Sequence, residues 1–531
     1  MQTTYLIIRF SSLGDIILTS PVILNLKIAD PASRIIYLTK ERYRNVAEMI
    51  RGVDEVVTLP EGASAAKLFN LLLELDSKGI DTVFDLHGST RSWLGRKIIR
   101  SNAVTVYPKR RMERWRAVRF KEFGENYPHT IDLYNSALTQ IGVDTPAFRP
   151  LLNVGRDGEK PFEFEDEGKP LVLIAPGAAH SNKKWPVSWF AEAAEILHHE
   201  SKATIVWAVM SGDEDSQNRK PKLADKHLKV LADTSIPELA DVIAASSLTI
   251  ANDSGIAHLS SAVGTPVLAL FGPTHPALGF APRGIRDRII QVEEHCRPCS
   301  LHGGRPCYRD EQFCFNRITP SMVVDESLKV LELSASAAPA LFIDRDGTLI
   351  ENRHYLADPD GVEIIPGGID ALKAAKARGY RIVVLSNQSG VARGLMTVED
   401  VERVNSRVGE LCAAEGLEID RFYYCPHHPN EGSDPAFTRS CDCRKPAPGM
   451  AEQAAHELNL DLRRSIVVGD SHVDTYLGRI IGARSALVRT GYGAQVEAEW
   501  KRGQIEPAMP VFDDLPAAVK AILSRHLPEA V

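Results

Sequence analysis

No stretch of this 531-residue chain reaches the roughly 18 consecutive apolar residues that a helix needs to cross a bilayer, so no segment is expected to span a membrane. Neither sign of charge dominates. There are 62 lysines and arginines against 69 aspartates and glutamates, and the net charge of −7 gives no support to nucleic-acid binding. The start, Met1-Gln2-Thr3-Thr4, lacks a basic n-region, and Ser11-Ser12-Leu13-Gly14-Asp15 breaks its apolar residues, so no secretory leader is expected. Short internal repeats and extended low-complexity tracts are missing, which removes repeat architectures from consideration. Cysteine is scarce, with eight residues, and Cys412 alone, in a helical pattern, reads as core. The others fall in two tight groups whose spacing suggests metal ligands and, with them, the reducing cytoplasm.

What is present, 44% hydrophobic and 25% charged residues, is the composition of a globular protein long enough for three ordinary domains. Apolar strands alternate with helical patterns in two blocks, 5–9, 35–38 and 82–86, then 171–175, 204–208, 248–251 and 267–271. Such alternation argues for parallel α/β sheets, and a break near 155–170 suggests paired Rossmann-like domains facing a cleft. The small, uncharged Ser334-Ala335-Ser336-Ala337-Ala338-Pro339-Ala340 reads as a linker, placed at 333–340.

Beyond it, Phe342-Ile343-Asp344-Arg345-Asp346-Gly347-Thr348 sets two carboxylates one residue apart after an apolar run. Alternation along a strand puts Asp344 and Asp346 on one side, and Gly347 lets the chain turn. Read alone, it is also compatible with an acidic strand end or the start of a calcium loop. A second apolar strand runs into Ser386-Asn387-Gln388-Ser389-Gly390, Lys445 brings a cation within Cys443-Arg444-Lys445-Pro446, and a third strand ends in Asp470 and Asp474. In an open α/β sheet such strand ends converge where ligands bind.

The order Asp344, Ser386, Lys445, Asp470 resembles the four motifs of the haloacid dehalogenase (HAD) phosphatase superfamily. The resemblance implies Asp344 as nucleophile forming an aspartyl-phosphate, with Asp346 as the acid that protonates the leaving oxygen and then the base that activates water. It places magnesium on Asp344, the Asp346 carbonyl and Asp470. Ser386 and Lys445, with Asn387 beside them, would hold the phosphoryl group, and Asp474 would orient Lys445 or a metal-bound water. Asp474 as a helix N-cap is the plainer reading.

Cys425-Pro426-His427-His428 and Cys441-Asp442-Cys443 form a CxH…CxC pattern that can close one tetrahedral zinc site from Cys425, His427, Cys441 and Cys443. Buried thiols or a disulfide are the alternative. His428 could substitute as a ligand, but the x-spacing favours His427. A zinc loop inside a HAD core resembles the subgroup of heptose-bisphosphate and histidinol-phosphate phosphatases. Ser389-Gly390-Val391-Ala392-Arg393-Gly394 and Tyr423-Tyr424-Cys425-Pro426-His427-His428-Pro429 favour the heptose branch. Arg393 and Arg444 would then face the second phosphate or sugar oxygens, since a second phosphate demands extra positive charge.

In the first block, Ser11-Ser12-Leu13-Gly14-Asp15 makes a polar turn after a strand, Lys183-Lys184-Trp185-Pro186 follows another, and Asn252-Asp253-Ser254-Gly255-Ile256-Ala257-His258 opens a helix whose N-terminus suits an anion. With Phe271-Gly272-Pro273-Thr274-His275-Pro276, this ordered set resembles glycosyltransferase family 9, the heptosyltransferases of GT-B fold. The resemblance implies an acceptor-side domain at 1–165, a nucleotide-sugar domain at 166–332 and a HAD phosphatase domain with a zinc loop at 341–531. Asp15 would be the general base of an inverting transfer. Lys183, Asp253, Ser254, Gly255 and His258 would bind the nucleotide-sugar, and Arg91 would contact the acceptor. Two departures keep the chemistry: Ser386 where relatives often have Thr, and Arg9 where they have Lys.

Cys296-Arg297-Pro298-Cys299 with Cys307 and Cys314 is a second metal signature, for a second zinc or an iron-sulfur cluster, the alternative being an unmetallated loop. The expectation is a bifunctional cytoplasmic enzyme of heptose metabolism, peripheral at the inner membrane. Its substrates would be a sugar bisphosphate, a nucleotide-activated heptose and a lipopolysaccharide core acceptor. The rival readings are a phosphatase for histidinol phosphate or another sugar phosphate, and a GT-B unit that only binds a nucleotide-sugar or acceptor.

Overall fold

The computed structural model describes residues 2–122, 127–155, 168–210, 212–432, 434–503 and 509–524. The chain divides into two compact units, Met1–Ala335 and Ser336–Val531. The expected boundary at 165/166 lies outside the described residues, as does Ser211. Within the expected 333–340 linker, the helix Pro320–Ala335 runs further than anticipated and a strand already starts at Ala340. Alanine and leucine favour helix, so a small, uncharged sequence extended the helix there instead of releasing the chain.

The first unit carries two parallel sheets. In one, β1 (Thr4–Ile8), β2 (Arg34–Lys40), β3 (Glu55–Leu59), β4 (Thr82–Asp85) and β5 (Ala103–Val106) stand in the order β3-β2-β1-β4-β5. In the other, β6 (Leu171–Ala175), β7 (Thr204–Val209), β8 (Leu228–Ala232), β9 (Leu248–Asn252), β10 (Val267–Leu270) and β11 (Arg288–Ile290) stand in the order β11-β10-β9-β6-β7-β8. Central strands such as β1 and β6 are buried throughout and largely apolar because helices cover both faces. Side-chain alternation then divides them: Tyr5 and Ile7 enter one core, Leu6 and Ile8 another. The first of these cores also takes Leu173, Ala175 and Ala251 from the second sheet, so the two halves share buried apolar contacts.

The second unit holds one parallel sheet, β12 (Ala340–Ile343), β13 (Arg381–Asn387), β14 (Arg421–Cys425), β15 (Ile466–Gly469), β16 (Arg484–Val488) and β17 (Val511–Phe512), in the order β14-β13-β12-β15-β16-β17. The strand order reverses between β12 and β15, so the loops after both strands open on one crevice. The same reversal occurs between β1 and β4 and between β6 and β9. No helix among the described residues is long and apolar enough to cross a membrane.

Candidate active sites

At the end of β12 the Asp344 carboxylate meets Lys445, whose Nζ stands 2.5 Å from Asp344 Oδ1 and 2.6 Å from Asp474 Oδ1. Lys445 also donates to the Leu385 carbonyl at 2.6 Å, and Asn387 pins its backbone by a reciprocal pair, Asn387 Nδ2 to Lys445 O at 3.0 Å and Lys445 N to Asn387 Oδ1 at 2.9 Å. All three ammonium donors are thereby used. Burial alone would depress the Lys445 ammonium, but Asp344 and Asp474 outweigh it and raise its pKa. Burial, with Asp474 and Asp470 alongside, pushes the Asp344 carboxyl well above the usual range despite Lys445. Asp470 is pushed up to about 7 by burial first and Asp474 second.

Asp474 reaches Lys445, and it is not the helix N-cap: it stands at the third helical position, where its carboxylate completes a capping box with Ser471. The helix His472–Ile481 is capped by Ser471, whose N–H donates to Asp474 Oδ2 at 3.2 Å while Asp474 Oδ1 takes the Lys445 contact. Asp346 faces another network. Fully buried Arg345 grips its carboxylate through Nε and Nη2 at 3.1 and 3.2 Å and is held in turn by Asn405 Oδ1 at 2.9 Å. Gln388 donates to Asp346 Oδ2 at 2.7 Å and to Ser386 Oγ at 2.6 Å. Sequence reasoning missed Arg345, Gln388 and Asn405 as part of the site. Their signals were an arginine set between the two aspartates just after the strand and, for Gln388, its place in the polar loop after the second strand.

Asp344, Asp470 and Asp474 offer oxygens within 4.8 Å of one another. A β-carbon on Gly347 or Gly491 would collide with the Asp470 carboxylate, so the chain leaves it a tight cradle. Three crowded carboxylates, with burial pushing Asp344 and Asp470 upward, suit a hard divalent cation, which would relieve their repulsion.

Cys425, His427, Cys441 and Cys443 also converge. The three sulfurs lie 3.2 to 3.5 Å apart and His427 Nδ1 is 3.3 Å from Cys443 Sγ. Disulfide sulfurs sit at about 2.05 Å, whereas sulfurs around a tetrahedral zinc with bonds of about 2.3 Å lie about 3.8 Å apart, so the group fits a metal rather than a bridge. Cys443 is brought down to about 5, first by the Cys425 thiol, and is poised as a thiolate ligand. His428 turns away, its Nδ1 accepting from the Glu431 N–H at 2.9 Å. Arg444 donates to the His427 carbonyl at 3.1 Å, and Arg393 pairs with Glu431 and lies over the Tyr355 ring.

In the first unit a cleft of about 1270 Å³ is lined from both sheets. Asp15, in the helix Leu13–Ile17, accepts from Ser12 N and Oγ at 3.0 and 2.8 Å, pairs with Arg9 at 2.7 Å and meets the Tyr134 hydroxyl at 3.3 Å. Burial would raise its pKa, but Arg9 and the Ser12 donors hold it well below the usual range. Across the cleft Lys183 pairs with Asp253 at 2.6 Å, and Thr274 Oγ1 donates to Asp253 at 2.6 Å. Ser254 caps the helix Gly255–Ala262, and its hydroxyl and His258 Nδ1 are buried without a partner. The halves meet closely here. A β-carbon on Gly14 would stand 2.6 Å from the His258 ring, and one on Gly255 would stand 2.8 Å from Leu13. All the expected donor-side residues line this cleft.

Arg91 does not. It is exposed on the helix Thr90–Ile98, because Ser92 takes the buried position, and Arg111, Arg114, Tyr107 and His302 line the cleft instead. Cys296, Cys299, Cys307 and Cys314 border one small cavity of about 10 Å³, but they are not among the groups whose ligand atoms all lie within 4.8 Å of one another. The four cysteines thus border one cavity without the close mutual spacing of the Cys425, His427, Cys441 and Cys443 group. Cys299 and Cys307 point at the carbonyls of Cys296 and Glu311, and the Arg309 guanidinium, paired with Glu294, stands 3.9 Å from Cys296 Sγ.

Residues 68–305 match the family glycosyltransferase family 9 (heptosyltransferase), and residues 442–518 match a HAD-hydrolase-like family. A D-glycero-β-D-manno-heptose-1,7-bisphosphate 7-phosphatase from Yersinia pestis is 40% identical over 187 residues, which is 35% of this chain and 97% of that protein. Among solved structures, a glycosyltransferase family 9 protein from Veillonella parvula is 20% identical with a TM-score of 0.49, covering 62% of this chain and 97% of its own. ADP-heptose lipopolysaccharide heptosyltransferase II from Escherichia coli is 20% identical with a TM-score of 0.48, covering 62% of this chain and 99% of its own. The chain thus belongs, through its C-terminal unit, to the heptose-bisphosphate phosphatase family of HAD hydrolases, and it carries that phosphatase behind a glycosyltransferase family 9 unit.

Proposed function

We propose that the C-terminal unit removes the 7-phosphate of D-glycero-D-manno-heptose 1,7-bisphosphate, and that the N-terminal unit transfers heptose from a nucleotide-heptose to a lipopolysaccharide core acceptor. The observation that carries the first half is the Lys445 ammonium set between Asp344 and Asp474 at the strand-order reversal, in a domain matching heptose-bisphosphate phosphatases along nearly their whole length.

An Asp344 carboxylate oxygen attacks the phosphorus, the bond from phosphorus to the sugar oxygen breaks, and Asp346 gives its proton to that departing oxygen, which leaves as the sugar hydroxyl. Water then attacks the aspartyl-phosphate while Asp346 takes its proton, releasing inorganic phosphate and the free Asp344 carboxylate. Lys445, Ser386 and Asn387 hold the phosphoryl oxygens. Arg345, Gln388 and Asn405 keep Asp346 aimed. Magnesium, held by Asp344, the Asp346 carbonyl and Asp470, would supply charge neutralisation between the carboxylates and the phosphate. Arg393, which pairs with Glu431, and Arg444, which donates to the His427 carbonyl, would contact the second phosphate or the sugar oxygens.

In the transferase, Asp15 takes the proton of the acceptor hydroxyl as that oxygen attacks the anomeric carbon, and the nucleoside diphosphate leaves with inversion. Lys183, the Ser254 hydroxyl and the N–H groups opening the helix at 255–262 receive the diphosphate. Arg9 and Ser12 hold Asp15 ionised, so it becomes an effective base only as the acceptor hydroxyl displaces one of those donors. The unit would work at the cytoplasmic face of the inner membrane. The test is phosphate release with magnesium from the heptose bisphosphate against histidinol phosphate, with Asp344→Asn as the blank. Strong Asp344-dependent preference for the bisphosphate is expected, and preference for histidinol phosphate would overturn the substrate assignment.

A further inference from the structure

The helix Arg111–Phe120 of the first unit is built unlike the other helices around the cleft. Its buried positions are Arg114 and Ala117, three apart on one side. The opposite side carries Met112, Trp115, Arg116, Arg119 and Phe120 at helical spacing, and the apolar members of that stripe are open to solvent, Met112 at 70%, Trp115 at 55% and Phe120 at 51%. Trp115 and Phe120 pack edge to face against each other, with ring centres 5.5 Å apart, and Arg119 lies over the Phe120 ring. A monomer gains nothing by leaving two large aromatic rings and a methionine outside on one helix.

Charge singles out the same segment. Residues 109–122 hold seven lysines and arginines against two glutamates, in a chain whose net charge is −7. The ion pairs on it are Arg110 with Glu113 and Arg116 with Glu122; of the five remaining cations, Arg114 meets the Tyr127 hydroxyl, Lys121 meets backbone carbonyls, and Lys109, Arg111 and Arg119 have no carboxylate partner among the described residues. A short helix that interleaves arginines with tryptophan, phenylalanine and methionine matches the zone between lipid headgroups and acyl chains, where the rings insert and the guanidinium groups meet phosphates. The helix is also continuous with the cleft, since Arg111, Arg114, Trp115 and Val118 line it together with Asp15.

We propose that the outward stripe of the helix at 111–120 is a docking surface for an anionic lipid bilayer. Docking there turns the cleft mouth toward the bilayer, so a lipid-anchored acceptor reaches Asp15 without leaving the membrane. The benefit to catalysis rests on the proposed lipid-linked acceptor; the docking itself rests on the stripe alone. Ten residues with three large apolar side chains make a shallow, reversible attachment, reinforced by charge and weakened by salt.

The test is co-sedimentation of the full chain with phosphatidylcholine vesicles, with and without phosphatidylglycerol. The variants Met112→Ser/Phe120→Ser and Arg116→Glu/Arg119→Glu alter solvent-facing side chains outside the cleft lining. Binding to the phosphatidylglycerol vesicles and little to pure phosphatidylcholine is expected, falling as salt rises. The charge-reversal pair should weaken it about tenfold or more, at about one lost attraction per arginine. The apolar pair should also weaken it, while thermal midpoint, phosphate release and transfer to a delipidated acceptor stay at the level of the unaltered chain. If vesicle binding follows this pattern while no transfer is found with any acceptor, the docking surface stands and the transferase reading fails. Equal binding by the variants, or no binding at low salt, overturns the proposal. So does vesicle-independent self-association that the apolar pair dissolves, because the stripe would then join two copies of the chain.

Discussion

The two catalytic clefts hold their charges in different ways. In the phosphatase unit one buried ammonium serves two carboxylates, Asp344 and Asp474, and with Asp470 alongside the centre holds excess negative charge that calls for a cation. In the transferase unit the expected base and the expected donor-binding lysine are each already paired, Asp15 with Arg9 and Lys183 with Asp253. The first site is complete on one sheet edge and waits for metal and phosphate. The second is divided between two sheets, and its internal ion pairs must give way when substrates enter. An unbalanced buried charge is expensive without its ligand, whereas a balanced pair is quiet until displaced, so the phosphatase should respond to metal and the transferase to substrate.

The largest expected effect that sharpens this contrast is at Asp15. Asp15→Asn keeps the shape but cannot take a proton, and transfer should fall by about a hundredfold or more with donor affinity little changed, as measured by initial rates and donor titration. Replacing one of the proposed zinc ligands comes next. If the group holds zinc as proposed, Cys441→Ser should lower the zinc content measured by elemental analysis and the thermal midpoint of the C-terminal unit, leaving the N-terminal transition in place. Arg345→Met should then reduce phosphate release by about tenfold or more through kcat rather than KM, because Asp346 loses its aim while the phosphate-holding groups remain.

The smallest effect concerns His87. Burial, and then Arg9 and Lys109, hold its pKa down to about 4, and its ring packs edge to face on Phe10. The unfolded chain protonates this imidazole near its ordinary value of 6.5, so its share of stability is complete above that pH and is lost as pH falls from about 6.5 toward about 4. His87→Gln should flatten that part of the stability profile of the N-terminal unit.

Legibility in the sequence followed the same division. Asp344, Lys445, Asp470 and the Cys425, His427, Cys441 and Cys443 group each sit in a short stretch whose chemistry is local, so order and spacing were enough to bring them together. The network around Asp346 was not legible, because Arg345 stands between the two aspartates with no local partner in sequence and Asn405 reaches it from 60 positions away. In the cleft, Arg114 and Tyr134 arrive from helices whose periodicity says only which side is buried. Arg114 reads as surface until the fold turns it inward. Central strands such as β1, β6 and β12 stood out as apolar runs covered on both faces. Edge strands such as β8 and β17 are half-exposed or two residues long and left no such mark.

The central claim, that one chain holds two separate active sites, is tested most directly by a crossed assay. Phosphate release from the heptose bisphosphate and heptose transfer are measured on the same preparations of unaltered chain, Asp344→Asn and Asp15→Asn. Asp344→Asn should lose phosphate release by about a thousandfold or more and keep transfer, and Asp15→Asn should do the reverse. Loss of both reactions in either variant, or phosphate release that survives Asp344→Asn, would contradict it.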